Sequence, residues 1–352
     1  MKVLIPTILF TILLPHLLFG QTVQTNATNL LSRRYQDGEK PSYHMKATNK
    51  GFFGATSYEA DAIGVVKKDF RGQFFEEYSW TNLIVNNKTI ALPAEGESVR
   101  QSLSLDPNYG FSGFPDLIKV NPHLTGPMLD LFNFYVDLQL AIRQKNLTHA
   151  GDHVFVKYGK PASWARGPVI LGEDSIDFDI TLKDFDQARQ VATVVIRHVP
   201  SQKPEIKIPA DWMRAPVEDT PNNWVQVSRN DSYKIAVATV VGIGLLLLFL
   251  LLLKWNSRRR WIVRAAFFLV AGLLILFASA VPYFHYMAMV GQETFDCEIK
   301  VNLISGKILS ATMDNPVEVV ARPCADETLT KYGPSFRGHF RRQIEIELMP
   351  AP

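Results

Sequence analysis

The sequence predicts a mainly β protein of the α+β class, in which one curved antiparallel sheet or half-barrel carries a single long apolar helix and is interrupted by a transmembrane helical hairpin. Three observations support this prediction. Short runs of alternating apolar and polar residues recur along most of the 352-residue chain. One central segment has apolar residues at helical spacing instead. Two uncharged blocks, 235–253 and 265–282, are each long enough to cross a bilayer.

The first 20 residues, MKVLIPTILFTILLPHLLFG, are typical of a secretory signal peptide. They combine one lysine, Lys2, with a long apolar core and a small residue, Gly20. Leu18 is a poor match for the small residue expected near the cleavage point, so retention of the segment as an anchor stays open. In both cases the residues that follow are expected to be exported.

The N-terminal part of the exported chain is predicted to consist of strands. A polar lead runs through Asn49 without a predicted element. Strand patterns then follow in TSYEADAIGVVKKD, GQFFEEYSWTNLIV and KTIALP. Residues 94–125 are rich in Pro and Gly and predict an ordered loop.

The segment TGPMLDLFNFYVDLQLAIRQKNL predicts the long helix, with Pro127 in its first turn. Its apolar residues cover more than one narrow stripe, so we expect the helix to lie in the hollow of the sheet. On its apolar face, Leu131, Phe132 and Tyr135 are candidate contacts for an apolar ligand.

Strand patterns resume after the helix. HVFVKYG is one candidate, and SIDFDITL is predicted to pair with VATVVIRHV as a hairpin. Beyond the apolar blocks, ETFDCEIKVNLISGKILSATMDNPVEVVARP predicts two long strands joined at Ser305-Gly306, and RRQIEIEL predicts a last strand.

Residues 233–286 predict the transmembrane hairpin, whose loop at 254–264 contains five cations and no acid: Lys254, Arg258, Arg259, Arg260 and Arg264. A short cationic loop is expected to stay in the cytoplasm, which places 21–232 and 287–352 outside. The outer piece 287–352 is too short to fold comfortably alone, so we expect it to complete the sheet begun before the hairpin. The predicted partner is the lipid bilayer. Nucleic acid is not expected, because acidic residues outnumber basic ones in the exported parts.

His149, Asp152 and His153 are candidate metal ligands in the sequence THAGDHVF. The alternative is a capped helix end with exposed polar groups, since Gly151 is expected to end the helix between the two histidines. No catalytic residue and no cofactor is predicted, because no catalytic or phosphate-binding motif occurs in the chain. Glu76 and Glu77 are adjacent in a predicted strand and should point to opposite faces, which argues against a paired acid/base role.

Cys297 and Cys324 are expected to be exported, where oxidation is permitted, and form a candidate disulfide. If the strands turn at Ser305-Gly306, however, the two cysteines lie roughly 30 Å apart, which is too far for a bridge unless the chain folds back. Both states are left open by the sequence.

The segments SIDFDITL, ATVVIRHVP, PADWM and GQETFDCEIKVNLISGKILSATMDNPVEVVARPCAD resemble an uncharacterised family of secreted bacterial proteins. The resemblance covers roughly Tyr43 to Leu348, with the membrane hairpin as the departure, and implies a bacterial source but no activity. A curved sheet around an apolar helix is also similar, at the level of architecture, to the LolA/LppX-like half-barrels, which bind lipid in their concave face.

These observations together predict a multi-pass protein of the cell envelope, placed in a bacterial inner membrane with its main domain periplasmic or extracellular. The domain is expected to bind a ligand, such as a lipid or another apolar molecule, or to be structural. The alternatives are an envelope hydrolase without a recognisable motif and an accessory subunit of a membrane complex.

Overall fold

The computed structural model describes residues 29–51, 54–92, 100–109, 120–160, 176–200, 223–229, 233–255, 260–281, 285–326 and 331–350. The predicted signal peptide, the loop cations Arg258 and Arg259 and half of the predicted 94–125 loop lie outside the described residues. The helices are α1 (Pro122–Ile142), α2 (Tyr233–Leu253) and α3 (Arg260–Ala280). The strands are β1 (Ser42–Gly51), β2 (Gly54–Lys68), β3 (Phe74–Val85), β4 (Lys88–Thr89), β5 (Gln101–Leu103), β6 (His153–Lys160), β7 (Ile176–Asp186), β8 (Val191–Pro200), β9 (Asn223–Arg229), β10 (Tyr286–Glu293), β11 (Asp296–Asn302), β12 (Ile308–Cys324) and β13 (Phe336–Leu348).

All thirteen of these strands belong to one antiparallel sheet, with the main order β4-β3-β2-β1-β13-β12-β11-β8-β7-β6. The predicted mainly β class, with a single antiparallel sheet and a long apolar helix, is therefore confirmed. The predicted hairpin of SIDFDITL with VATVVIRHV is β7 paired with β8. Its alternation holds, because Ile176, Phe178, Ile180 and Leu182 are all buried.

The C-terminal strands lie in the middle of the sheet. β13 pairs with β1 on one side, where Tyr43 is opposite Leu348, and with β12 on the other. β11 then continues the sheet into β8. In the sheet, the described strands β1–β5 thus form one group and β6–β8 form another, and β11–β13, which follow the helix pair, lie between the two groups.

β12 is long enough to pair with two strands along one edge. Its first half pairs with β11 and its second half, Val317–Cys324, pairs with β10. The strand predicted to begin at Glu293 corresponds to β11, whereas β10 precedes it as a separate strand that the sequence did not predict. β9 pairs with β10, and Arg229 is opposite Tyr286, so α2 and α3 are inserted where this β-hairpin would turn.

The polar lead predicted before Asn49 is wrong, because residues Ser42–Gly51 form a strand at the centre of the sheet. Tyr43, Met45 and Ala47 point into the core, while the residues between them are more exposed. Apolar and polar residues do alternate in this strand, but the many polar residues on its outer face hid the pattern in the sequence.

α1 begins at Pro122, five residues before the predicted start. The side chain of Asn121 accepts a hydrogen bond from the N–H of His123, and Pro122 occupies the first turn, where its missing N–H costs nothing. Pro127 lies inside the helix. More than half of the helix is buried, including both carboxylates, Asp130 and Asp137.

α2 and α3 pack against each other. A Cβ added to Gly244 would lie 2.5 Å from a methyl carbon of Leu274, so glycine at this position permits the close approach of the two helices. The stretch Arg260–Ser279 of α3 is long and apolar enough to cross a membrane, and none of it is buried; Val237–Leu253 of α2 is a shorter apolar helix. By length and composition, one described helix therefore qualifies as a membrane span.

Candidate functional site

The interior contains a buried ion pair between the N-terminal segment and β3. Arg33 Nε donates to Glu76 Oε1 at 3.0 Å, and its Nη2 donates to Glu39 Oε2 at 2.6 Å. Nη1 donates to the carbonyl oxygens of Arg34 and Ser305 at 3.0 and 3.1 Å. Burial by itself would lower the pKa of Arg33, but Glu76 and Glu39 outweigh it and raise the pKa above its usual range. Arg33 is thus a permanent buried cation that joins three parts of the chain.

The other carboxylate oxygen of Glu76 accepts hydrogen bonds from two tyrosines. Tyr78 donates to Glu76 Oε2 at 2.9 Å, and Tyr135 of α1 donates to the same oxygen. The two hydroxyls lie 2.6 Å apart. Burial, reinforced by the charge of Glu76, raises the pKa of both tyrosines well above the ordinary value. Both hydroxyls therefore stay protonated and hold α1 against β3.

Two further buried carboxylates attach α1 to the sheet. Asp130 accepts a hydrogen bond from Tyr58 of β2 at 2.6 Å and another from Arg342 of β13. Burial raises the pKa of Asp130, while Arg342 and Tyr58 oppose the rise. About two turns further along α1, Asp137 Oδ2 lies 2.9 Å from Nε2 of His198 on β8. α1 is therefore fixed by specific polar contacts to strands in both halves of the strand order, β2 and β13 in one half and β8 in the other.

Asp137 and His198 lie close to Cys297, but the three do not form a catalytic triad. In a triad the histidine lies between the carboxylate and the nucleophile. Here Asp137 interacts with both the imidazole and the thiol. Burial, followed by the nearby acids, raises the pKa of the Cys297 thiol well above its ordinary value. A neutral, fully buried thiol is a poor nucleophile, which argues against a hydrolase built on these residues.

A cleft of about 370 Å³ lies on the opposite, outer face of the sheet. Two ion pairs in the cleft join different strands. Lys183 Nζ of β7 lies 2.8 Å from Glu298 Oε2 of β11, with β8 between the two strands, and Arg197 Nε of β8 lies 2.7 Å from Asp296 Oδ1 of the adjacent β11. The lining residues come from β7, β8 and β11 and are Asp179, Thr181, Lys183, Val195, Arg197, Asp296, Cys297 and Glu298. The cleft is open to solvent and five of its eight lining residues are charged, so it could hold a charged or hydrogen-bonding group.

The candidate apolar-ligand residues lie on α1 as expected, but two of them are closed off from solvent. Leu131 is 0% and Tyr135 is 1% exposed, and the hydroxyl of Tyr135 is committed to Glu76. Phe132 is partly buried and packs against the same core. The face of the sheet that packs against α1 is therefore covered by the helix at these three positions.

The candidate metal ligands do not converge. His149 Nδ1 lies 3.7 Å from Asp152, whereas His153 turns away and pairs with Asp179. Asp152 instead accepts the backbone N–H groups of Thr148 and His149, which closes a turn before β6 and lowers its pKa. Among the residues that the structure describes, no group of three metal-binding side chains is found. The helix had already ended at Ile142, so Gly151 shapes this turn and not a helix end.

Cys297 and Cys324 are both free and buried, so the candidate disulfide is wrong. Cys297 is opposite Met313 on β12, and Cys324 ends that same strand. Eleven extended residues separate Met313 from Cys324, a distance of roughly 36 Å at about 3.3 Å per residue. No disulfide can span it.

The loop cations that the structure describes lie at the ends of α2 and α3. Arg260 begins α3, and the guanidinium of Arg264 lies 5.1 Å from the centre of the Trp255 ring. Lys254 directly follows α2. These positions fit a short turn between two antiparallel helices.

Sequence reasoning missed Arg33, Tyr58, His198 and Arg342 as buried partners. Each lies far along the chain from the carboxylate it meets, and Arg33 stands in a segment without a predicted element. The one available signal was the presence of two acids on the apolar helix, since a buried carboxylate requires a partner.

Comparisons with known proteins add no functional assignment. No family model and no curated protein matches the chain. Among solved structures, the crystal structure of Pseudomonas aeruginosa OccK2 (OpdF) aligns with 88% of this chain and 96% of that chain, at 7% sequence identity and a TM-score of 0.09. A TM-score this low carries no argument about fold or function.

Proposed function

We propose that this chain is a membrane-anchored cell-envelope protein whose sheet domain faces outward and serves as a binding or structural domain. The observation that carries the proposal is the place of the helix pair. α2 and α3 are inserted at the turn of the β9–β10 hairpin, and strands from both sides of the pair belong to one sheet. An exposed apolar helix pair that interrupts a polar sheet at one turn serves best as an anchor.

The outer cleft is the better candidate for ligand binding than the concave side. An apolar ligand on the concave side would have to displace α1, which is fixed there by Glu76, Asp130 and Asp137. The cleft over β7, β8 and β11 is already open. A binding role would thus involve polar groups of a ligand or protein partner, and a purely structural role would leave the cleft solvated.

Cysteine labelling tests the orientation. In spheroplasts, a membrane-impermeant thiol reagent should label an Asn230→Cys variant and fail to label a Ser257→Cys variant until the cells are lysed. The positive loop cations are the physical reason, because they keep residues 254–264 in the cytoplasm. Cys297 and Cys324 are each 0% exposed, so the native cysteines should add little background. Labelling of Ser257→Cys from outside would refute the orientation, and release of the protein by alkaline carbonate would refute the anchor.

A further inference from the structure

The strands next to the helix pair end together in one row. Arg229 of β9 pairs with Tyr286 of β10, and Tyr286 pairs with Cys324 of β12. Cys324 also forms an isolated bridge with Tyr332. At about 4.8 Å between neighbouring strands, these four residues span roughly 14 Å. We call Arg229, Tyr286, Cys324 and Tyr332 the end row.

The end row is held close to both helices. α2 begins at Tyr233, four residues after Arg229, and α3 ends at Ala280, six residues before Tyr286. At no more than about 3.6 Å per residue, the connections reach at most about 14 and 22 Å. The headgroup layer on each side of a bilayer is about 5–8 Å thick. If the helices cross the membrane, as the proposed function holds, the end row must lie at or just above the headgroups.

The side chains around the end row have the chemistry of a membrane interface. Arg229 and Lys331 are exposed, and Tyr286 and Tyr332 are partly buried. The guanidinium of Arg322 lies 4.5 Å from the centre of the Tyr332 ring. The nearest described acid along the chain, Asp326, accepts the backbone N–H of Lys331. Tyrosines beside long cationic side chains are typical of the membrane–water interface, at the level of the lipid headgroups.

We propose that the cations in and beside the end row, Arg229, Lys331 and Arg322, bind the phosphate headgroups of anionic phospholipids at the surface of the membrane that anchors the chain. This inference rests on the proposed function and adds a lipid preference to it. Each lysine or arginine near an anionic surface strengthens binding by about fivefold at physiological ionic strength. Arg229 and Lys331, together with Arg322, would thereby fix the tilt of the sheet over the bilayer.

The test uses the full-length protein in mild detergent, offered phosphatidylglycerol or phosphatidylcholine and examined by native mass spectrometry. We expect phosphatidylglycerol to be retained in preference. Lys331→Glu should reduce its occupancy by at least about fivefold, and Arg229→Glu/Lys331→Glu should reduce it further. The matched control is Lys88→Glu/Lys300→Glu, which makes the same change in net charge at exposed positions away from the end row. The cations of the 254–264 loop add a background that both double variants share.

Equal lipid retention in the two double variants would overturn the inference. The inference would also be overturned if the Arg229→Glu/Lys331→Glu variant lost a co-purifying protein while its lipid occupancy stayed unchanged. These residues would then form a protein contact. Lys331→Glu changes a single exposed side chain, and an unchanged unfolding transition in this variant excludes misfolding as the cause of lost lipid. Release of the wild-type protein by alkaline carbonate would refute the anchor itself. Firm insertion with no lipid preference refutes the lipid site alone.

Discussion

At the scale of single residues, Glu76 and Glu77 show how one strand serves two environments. Glu76 is 1% exposed and bonds to Arg33 and two tyrosines. Glu77 is on the outer face, where it pairs with Lys67 at 2.6 Å and Arg100 at 3.1 Å. The same type of carboxylate is thus part of a buried network at one position and of a solvated ion pair at the next.

This difference predicts unequal costs for the same substitution. Glu76→Gln should lower the free energy of unfolding by about 3–5 kcal/mol, because it leaves the buried charge of Arg33 only partly compensated. Glu77→Gln is the matched control and should cost about 0.2–1 kcal/mol, as exposed ion pairs do. Urea unfolding of the full-length protein in detergent measures both. Similar costs would show that Glu76 does not hold the interior together.

The sequence predicted that the two glutamates point to opposite faces, because alternation along a strand is local. It could not predict the partners of Glu76. Arg33 lies 43 positions away and Tyr135 lies 59 positions away. Which residues meet across a sheet depends on strand order, and no local pattern records that order.

At the scale of elements, the helical spacing of apolar residues predicted α1 but did not predict where the helix begins. The apolar period used for the prediction starts at Met128, whereas the first turn consists of Pro122, His123, Leu124 and Thr125, of which Leu124 alone is buried. The Asn121-Pro122 pair is a start signal of the kind that caps helices, and it was available in the sequence. β1 was missed for a similar reason, since polar residues on its outer face hid the buried Tyr43 and Met45.

The packing of α1 distinguishes two neighbouring residues. Leu131→Asp should abolish cooperative unfolding, because a carboxylate at a fully buried position costs several kcal/mol, against a total stability of about 5–15 kcal/mol. Phe132→Asp should be folded but less stable, because Phe132 is only partly buried and its carboxylate could reach water. Near-UV circular dichroism and urea unfolding report both outcomes. A native-like spectrum and sharp transition for Leu131→Asp would mean that α1 is peripheral.

At the scale of the whole molecule, the sheet depends on its C-terminal strands more than the sequence indicated. The sequence led us to expect that 287–352 would complete the sheet, without indicating where in the sheet its strands would lie. In the structure β10–β13 occupy its middle, and β13 is the neighbour of β1. Length and the need to bury apolar surface predicted membership of the sheet, but they contain no information about position within it.

Two deletions should therefore behave in opposite ways. Replacing residues 230–285 by a turn of two to four residues containing Asn-Gly should give a soluble domain with one sharp unfolding transition, because Arg229 and Tyr286 are already neighbours across the β9–β10 pair. Residues 21–232 alone should aggregate or form a molten state, because β1 loses its neighbour β13 and β8 loses its neighbour β11. Size-exclusion chromatography and thermal unfolding separate these results. A monomeric, cooperatively folded 21–232 would contradict a single sheet-forming unit.

The pairing of Tyr43 with Leu348 also determines how late during translation the sheet can be completed. β1 emerges early from the ribosome, yet its partner is made roughly 300 residues later, which takes about 15–60 s at ordinary elongation rates. If the helix pair enters the bilayer during that interval, as the proposed function holds, the strands translated before it still lack their central neighbours. Until the last strand is made, the nascent domain therefore has unpaired edges at β1 and β8. If the domain is exported as proposed, the yield of folded protein should depend most on a chaperone in that compartment. Such a chaperone would cover the strand edges until translation ends.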